Sequence, residues 1–194
     1  PTQLIGGTVG PGDIKYVNQP NVYGVYDDVI DTNDRVPIGN PTTPEIVYGF
    51  GPSFHYKGFD FSFFFQGIAK TSLFMSGLQP FGTTMDNKNV QTFIAEDHWS
   101  PDNQNIFAKY PRLTIERSAN NATTSTYWER DGAFLKLKNA EIGYTFKSMR
   151  FYLRGSNLLT FSKFKLWDPE QGGGNGLKYP TQRVFNIGFQ MTIK

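Results

Sequence analysis

The sequence predicts an all-β protein of antiparallel strands, and three observations carry the prediction. Apolar residues recur at every second position over long runs, which is strand periodicity. Short turns alternate with long connections. The composition is aromatic-rich (16%), with 20 Gly and 12 Pro in 194 residues, and only 19% charged, against about 25% in an ordinary soluble domain. That balance disfavours helix bundles and coiled coils.

Five strands are expected, at 44–56, 59–69, 132–146, 150–160 and 182–194. In the first, Ile46, Tyr48, Phe50, Pro52, Phe54 and Tyr56 share one face, opposite Val47, Gly49, Gly51, Ser53 and His55. In the second, Phe59, Phe61, Phe63, Phe65 and Ala69 oppose Asp60, Ser62, Phe64 and Gln66. Lys57-Gly58 between them reads as a two-residue loop, so Tyr56 and Phe59 pair directly and share a face. In the third, Ala140, Ile142, Tyr144 and Phe146 oppose Asn139, Glu141, Gly143 and Thr145. Its start is out of phase, because Leu135 and Leu137 have the opposite parity, and a bulge near Lys138 would restore a single face. A turn over 147–150 is expected to pair Phe146 with Phe151. The fourth strand sets Phe151 and Leu153 against Tyr152, Arg154 and Ser156. The fifth sets Phe185, Ile187, Phe189, Met191 and Ile193 against Asn186, Gly188, Gln190 and Thr192.

Two architectures alternate in this way. A soluble sandwich turns its apolar face inward; a transmembrane barrel turns it to lipid. Three features favour the barrel. The strands approach the ~9–11 residues that cross a bilayer when tilted. Short turns at one end and long connections (70–130, 161–180) at the other mark outer-membrane barrels. The polar face is rich in Gly, Ser, Asn, Thr and Gln rather than Lys and Glu. A soluble β-sandwich that binds carbohydrate through loop aromatics is the competing reading.

Other classes fall away. A net charge of +2 without a basic run gives no footprint for nucleic acid. The absence of Cys removes disulfides, thiolate nucleophiles and Cys-ligated metals. No stretch approaches the ~18 apolar residues of a membrane helix, which leaves strand spans open. The start at Pro1 leads us to expect a mature chain or a fragment. Within the long connection, 89–98 reads as a helix on the spacing of Val90, Phe93, Ile94 and Asp97, with Asp86 or Asn87 as its cap. The run Gln171–Gly176 reads as a flexible loop.

Candidate chemistry is sparse. His55 and His98 have no second ligand at metal spacing and read as structural. No hydrolase or phosphate-loop motif is present, so no enzyme, cofactor or metal is expected. Asp27, Asp28, Asp31, Asn33 and Asp34 cluster, but Arg35 and Val36 stand where a calcium loop starting at Asp31 needs its fifth ligand and its Gly. A solvated turn is the better reading. Trp99, Tyr127, Trp128 and Trp167 lie in the long connections. They are the candidate substrate- or partner-binding residues, with packing inside a large loop as the plainer role.

Ordered blocks over nearly the whole chain carry a resemblance. They include Gly12-Asp13-Ile14-Lys15-Tyr16, Ile30-Asp31-Thr32-Asn33-Asp34-Arg35-Val36-Pro37, Gly58-Phe59-Asp60-Phe61-Ser62 and Trp99-Ser100-Pro101-Asp102-Asn103 leading to Tyr110-Pro111-Arg112-Leu113. The most specific is Asp131-Gly132-Ala133-Phe134-Leu135-Lys136-Leu137-Lys138-Asn139 with Gly143-Tyr144-Thr145-Phe146, followed by Gly155-Ser156-Asn157-Leu158 and Asp168-Pro169-Glu170. Together they resemble the C-terminal region of SusC/RagA-type TonB-dependent outer-membrane transporters.

The resemblance implies that residues 1–194 are the C-terminal segment of a large transmembrane β-barrel with long extracellular loops. Such barrels are roughly 22-stranded and plugged, so five strands alone are an incomplete barrel. It implies import of oligosaccharides or peptides across the outer membrane of a Bacteroidetes-like Gram-negative cell. The implied partners are a SusD-like surface lipoprotein, outer-membrane lipid, and the TonB complex acting through an N-terminal region. Neither that region nor a plug domain lies in this chain. Turns 57–58 and 147–150 would then be periplasmic. Two departures stand out. Gly24–Val29 replaces the family's Asn-Gly-Asp-Gly stretch, weakening any calcium role. The end at Ile193-Lys194 lacks the usual final aromatic, so a trimmed or divergent end is expected.

Overall fold

A computed structural model of the chain describes residues 1–78, 89–115 and 118–193. Among these residues ten strands occur in the order β1 (Thr2–Gln3), β2 (Val29–Ile30), β3 (Ile46–Phe50), β4 (Ser53–Tyr56), β5 (Phe59–Ala69), β6 (Ser72–Phe74), β7 (Glu129–Asp131), β8 (Phe134–Phe146), β9 (Met149–Ser162) and β10 (Val184–Met191), with a helical turn α1 (Thr92–Ala95) between β6 and β7. The chain divides into two compact units. One comprises Pro1–Ile38 and Met75–Trp128, the other Gly39–Phe74 and Glu129–Lys194.

The second unit is dominated by one antiparallel sheet in the order β10-β9-β8-β5-β3, with β4 also pairing β5. With β3 and β4 taken as two pieces of one interrupted strand beside β5, strands adjacent in the sheet are adjacent among its strands in sequence, so the chain runs up and down. The first turn follows the sequence expectation. Lys57 (φ 47°) and Gly58 (φ 85°) both take left-handed backbone, the conformation a two-residue hairpin with native twist demands. Tyr56 and Phe59 stand directly opposite. Thr145 N donates to Gly58 O, which sets this turn beside the one joining β8 to β9.

That second turn is tighter than expected. Phe146 pairs with Met149, and Phe151 lies opposite Tyr144 instead. Left-handed φ at Lys147 (54°) closes the turn on Lys147-Ser148 alone. Parity is unchanged, so the apolar face survives the correction. The expected strand 44–56 is interrupted between β3 and β4. Pro52 cannot donate to the ladder, and its carbonyl accepts from Phe63 N at 3.3 Å.

The expected bulge sits at Lys138. Between Asn139 and Leu137 the register shifts against both β5 and β9. On β9 the shift is absorbed by Asn157 (φ 55°) and Leu158. The result is one continuous apolar face. It carries Phe54, Phe61, Ile142, Leu153 and Ile187 on one row, then Phe50, Phe65, Leu137 and Leu159 beyond the bulge. Cross-strand rings meet along it, as in Phe59–Tyr144 (4.5 Å), Phe151–Phe189 (4.9 Å) and Phe50–Phe65 (5.3 Å). This face is bare: Ile187 is 89% exposed, and Phe54, Phe59, Phe61, Phe185 and Phe189 are exposed with it. Among the described residues no second sheet covers it, so the sandwich reading is not what the chain forms.

The first unit has its own small core of Ile14, Ile30, Met75, Leu78, Ile94, Tyr110 and Trp128. The helix expected over 89–98 is only the turn Thr92–Ala95, with no side-chain cap at Gln91. The capping candidates Asp86 and Asn87 lie outside the described residues. His98 explains the early stop: its Nδ1 hydrogen-bonds Ala95 O (2.9 Å) and Ile94 O (3.1 Å). The chain then turns to bridge Tyr110.

The face assignment predicts an asymmetry. In the whole barrel Phe63→Arg should cost about 2–4 kcal/mol near the bilayer midplane, and the neighbouring Ser62→Arg much less. Folding titrations in lipid, or the yield of assembled barrel, would separate the two. Equal losses would mean that the faces are misassigned.

Candidate functional site

The polar face of the sheet is more charged than the sequence pattern implies, and Asp60, Glu141, Arg150 and Lys136 on it are bound in ion pairs. Arg150 Nη2 bonds both Asp60 Oδ2 and Glu141 Oε1 (2.6 Å to the latter), and its Nε donates to Asp60 Oδ1 at 3.1 Å. The guanidinium also lies 4.9 Å from the centre of the Tyr152 ring. One arginine on β9 thus ties β5 to β8. Gly143 makes room for it, since a Cβ there would lie 2.7 Å from both Arg150 Nη2 and the Asp60 carboxylate. Sequence reasoning missed this cluster although it began the fourth strand at Arg150, because the partners lie on other strands. The signal needed was the register that sets Asp60 opposite Gly143.

A second cluster holds the connection after β9. Lys136, on β8 before the bulge, is only 1% exposed. Its Nζ donates to Asp168 Oδ2 (2.5 Å) and Glu170 Oε2 (2.7 Å), and Lys138 Nζ reaches Glu170 Oε1 (2.5 Å). Burial works against both carboxylates, but the lysines outweigh it and hold Asp168 and Glu170 below their ordinary range. Lys136 belongs to the polar row of Gln66 and Thr160. The loop it grips therefore folds over the polar side of the wall. Trp167 completes the clamp. Its Nε1 donates to Gly172 O (3.0 Å) and its ring meets Phe164 at 4.6 Å. A Cβ on Gly176 would lie 2.6 Å from that indole. Gly174 N in turn bonds Phe74 O, so the Gly-rich run is tied down at its centre.

In the first unit the motif blocks meet one another. Arg112 forks onto Asp13, Nε to Oδ1 at 2.7 Å and Nη2 to Oδ2 at 2.8 Å. Gly10 N and Asn121 Nδ2 also donate to Asp13 (2.8 Å each). Burial opposes the Asp13 carboxylate, yet Arg112, Gly10 and Asn121 together hold it below its usual range. Asn120 and Asn121 are fully buried and bond the Ile14 backbone. Ion pair and amides together are a scaffold.

The four candidate aromatics separate on inspection. Trp128 is 6% exposed, with Nε1 bonded to Asn121 O at 2.7 Å; it is a core residue with no free face. Trp99 is half-buried against Gly12, where a Cβ would lie 2.2 Å from the indole. Tyr127 stands edge-on to Trp128 at 4.8 Å and donates to Lys109 O. Trp167 belongs to the clamp. More open to a partner are side chains the sequence reading passed over, among them Ile106 and Phe107, each 84% exposed, and the Val22-Tyr23 turn. An Asx turn holds the first pair outward, with Phe107 N donating to Asn105 Oδ1.

The acidic cluster folds into a capped turn. Asp31 Oδ1 accepts from Asn33 N, and Asp34 accepts from Asp31 N and Gln19 N. Among the described residues no three His, Asp or Glu side chains gather to hold a metal ion. A cleft lined by Ile94, Tyr110, Arg112 and Trp128 has space of about 10 Å³, enough for about one water and too little for a substrate.

Comparison with known proteins gives one consistent neighbourhood. The chain is 30% identical over 195 residues to TonB-dependent receptor P26 of Formosa agariphila, covering 86% of this chain and 19% of that protein. It is 32% identical over 185 residues to TonB-dependent receptor P3 of the same organism, covering 84% of this chain and 18% of the relative. The chain thus spans about a fifth of the length of the curated relatives it matches. No family model matches it. Among solved structures, the RagAB peptide importer in its open–open state superposes with a TM-score of 0.67 at 22% identity, over 94% of this chain and 21% of that one. The RagAB peptide transporter gives 0.65 at 23% identity, over 90% and 20%.

Two outcomes follow from the clamps. Lys136→Met should cost about 1–3 kcal/mol, because two half-exposed carboxylates lose a bonded cation, and limited proteolysis should then cut within 163–183. The pH sign is fixed by the depressed carboxylates. Their contribution is full above the ordinary carboxylate range near pH 4 and is lost as pH falls through the lowered folded values, so acid should expose the same sites in the native chain. Trp128→Ala should cost about 3–5 kcal/mol, read as proteolysis within 89–128 while the sheet stays protected. A Trp128→Ala chain as resistant as the native one would contradict its core role.

Proposed function

We propose that this chain, which is the C-terminal barrel region of a SusC/RagA-type TonB-dependent transporter, supplies five long strands of a barrel that imports an oligosaccharide or a peptide across the outer membrane of a Bacteroidetes-type cell. The observation that carries the reading is the large antiparallel sheet, in which β3 and β4 are two pieces of one interrupted strand beside β5. One face is bare, aromatic and continuous across a bulge, which is what lipid requires of a strand wall. The other is polar, with Asp60, Glu141, Arg150 and Lys136 bound in ion pairs. Both sheet edges, β3/β4 and β10, lack neighbours among the described residues. Unpaired backbone is not tolerated in a bilayer, so further strands of the same receptor must continue both edges. The protein is a transporter and not an enzyme.

The division of labour follows from position. The polar wall lines the path. The clamped connection 163–183 stands at the extracellular end of the wall, opposite turns 57–58 and 147–148. A TonB complex pulls on a region outside this chain. A SusD-like surface lipoprotein closes over the loops, and the exposed Ile106 and Phe107 are its best-placed anchors, because a few desolvated apolar side chains carry most of an interface's energy. Trp99 and Tyr127 support that surface from behind, and Trp128 is its core.

Two experiments test this reading. With single cysteines introduced into the whole receptor, Leu177→Cys should react with an impermeant maleimide on intact cells and Ser148→Cys should not. The reverse pattern would invert the topology. Replacing Ile106 and Phe107 together by Asp should lower the lipoprotein recovered with the receptor by roughly tenfold or more while the barrel stays in the membrane. Full recovery would remove these residues from the lid interface.

A further inference from the structure

We infer that the turns Lys57-Gly58 and Lys147-Ser148 together form a binding site for the headgroup of an anionic phospholipid in the periplasmic leaflet, an inference that rests on the barrel reading above. The two turns are neighbours. β5 pairs with β8, and Thr145 N donates to Gly58 O at 2.7 Å. Lys57 follows β4 and Lys147 follows β8, with β5 between them. Strand spacing and rise set their backbones about 10 Å apart across the sheet and about 7 Å apart along it. Two lysine side chains, each a charge on a flexible stem, can close that span from both sides.

The turns themselves do not call for lysine. The left-handed backbone of a two-residue hairpin favours Asn or Gly, yet Lys57 (φ 47°) and Lys147 (φ 54°) occupy it. Lys70 (φ 51°), at the other end of β5, is a third lysine in this conformation, and its Nζ lies 3.7 Å from the Glu45 carboxylate. Lys57 and Lys147 are both exposed and, among the described residues, neither forms an ion pair. Each ammonium lies over a ring instead. Lys57 Nζ is 5.2 Å from the centre of the Tyr56 ring, and Lys147 Nζ is 5.4 Å from that of Phe146.

Those rings stand on the apolar face. Tyr56, Phe59, Tyr144, Phe151 and Phe189 form one row across β4, β5, β8, β9 and β10, and all five are exposed, as is Phe146. A row of aromatic rings on the outside of a barrel marks the level where acyl chains give way to headgroups. β5, β8 and β9 have both strand neighbours within this chain, so strands added at the sheet edges lengthen the row and leave its outer side open. The lysines therefore hold two positive charges without carboxylate partners at headgroup depth. One snorkelling lysine is satisfied by water. Two that converge repel, and a phosphate carrying net negative charge between them relieves the repulsion while its acyl chains pack on the rings. A zwitterionic headgroup brings an ammonium of its own and gains less. The long connections lie at the opposite end of the wall, which assigns the site to the periplasmic leaflet and its phospholipid.

The test uses the full-length receptor, purified in detergent, stripped of lipid and given phosphatidylglycerol or phosphatidylethanolamine of the same acyl chains, with bound lipid counted by native mass spectrometry. Heat-modifiable migration checks that each variant is an assembled barrel. The native receptor should hold phosphatidylglycerol roughly tenfold more tightly than phosphatidylethanolamine. Lys57→Gln combined with Lys147→Gln should abolish that preference. Lys163→Gln combined with Lys165→Gln, at the other end of β9, should keep it. Equal retention of the two lipids by the native receptor, a preference that survives the first pair of changes, or an equal loss with the second pair would each overturn the site. A first pair that sheds lipopolysaccharide and keeps phosphatidylglycerol would overturn it too, because the anion would then belong to the other leaflet. Lys57→Cys labelled by an impermeant maleimide on intact cells would instead overturn the topology and the barrel reading with it, so the two failures are distinguishable.

Discussion

Every other feature of the barrel unit depends on keeping one face of five strands apolar from end to end. With a side-chain period of two, a slip of one residue would send each aromatic to the wrong side. The two-residue turn at Lys57-Gly58 sets the phase of β5 against β4, and the turn at Lys147-Ser148 sets β9 against β8. The phase error built into β8, where Leu135 and Leu137 precede Ala140 and Ile142, is repaired at Lys138. Without that bulge the sheet would carry leucines into the polar side and Lys136 into lipid. With it, Lys136 turns inward to the carboxylates that hold the following loop.

This links the wall to the loops in a specific way. The bulge serves the apolar face, and its by-product is a buried lysine on the polar face beside the mouth. Asp168 and Glu170 neutralise it, and the loop they belong to is pinned as a consequence. At the other end of the wall, Gly143 gives Arg150 a path to Asp60 across an intervening strand. In both places a backbone feature of the strand decides where a charge can go, so the charges answer to the barrel geometry.

Period-two alternation, the hairpin at 57–58 and the bulge were legible in the sequence because each is local: a few consecutive residues determine it. Long-range pairings were not. Nothing near Lys136 in sequence announces Asp168, and nothing near Asp13 announces Arg112, although both pairs join blocks that the family resemblance had singled out separately. Tryptophan in a loop looks the same whether it is an anchor or a core residue, and only its neighbours showed that Trp128 is buried and Phe107 is not. The short helix was over-read for the same reason. His98, which ends it, acts through a ring nitrogen that spacing alone does not reveal.

The central claim is that the bare aromatic face lies in lipid and the polar face in a water-filled lumen. The most direct test places spin labels in turn at Ile187 and at its neighbour Asn186 in the whole receptor reconstituted in bilayers, and compares accessibility to oxygen with accessibility to a water-soluble nickel complex. The account predicts that the label at 187 is relaxed by oxygen and sheltered from nickel, and that the label at 186 shows the opposite. Two labels with the same water-side accessibility would contradict it.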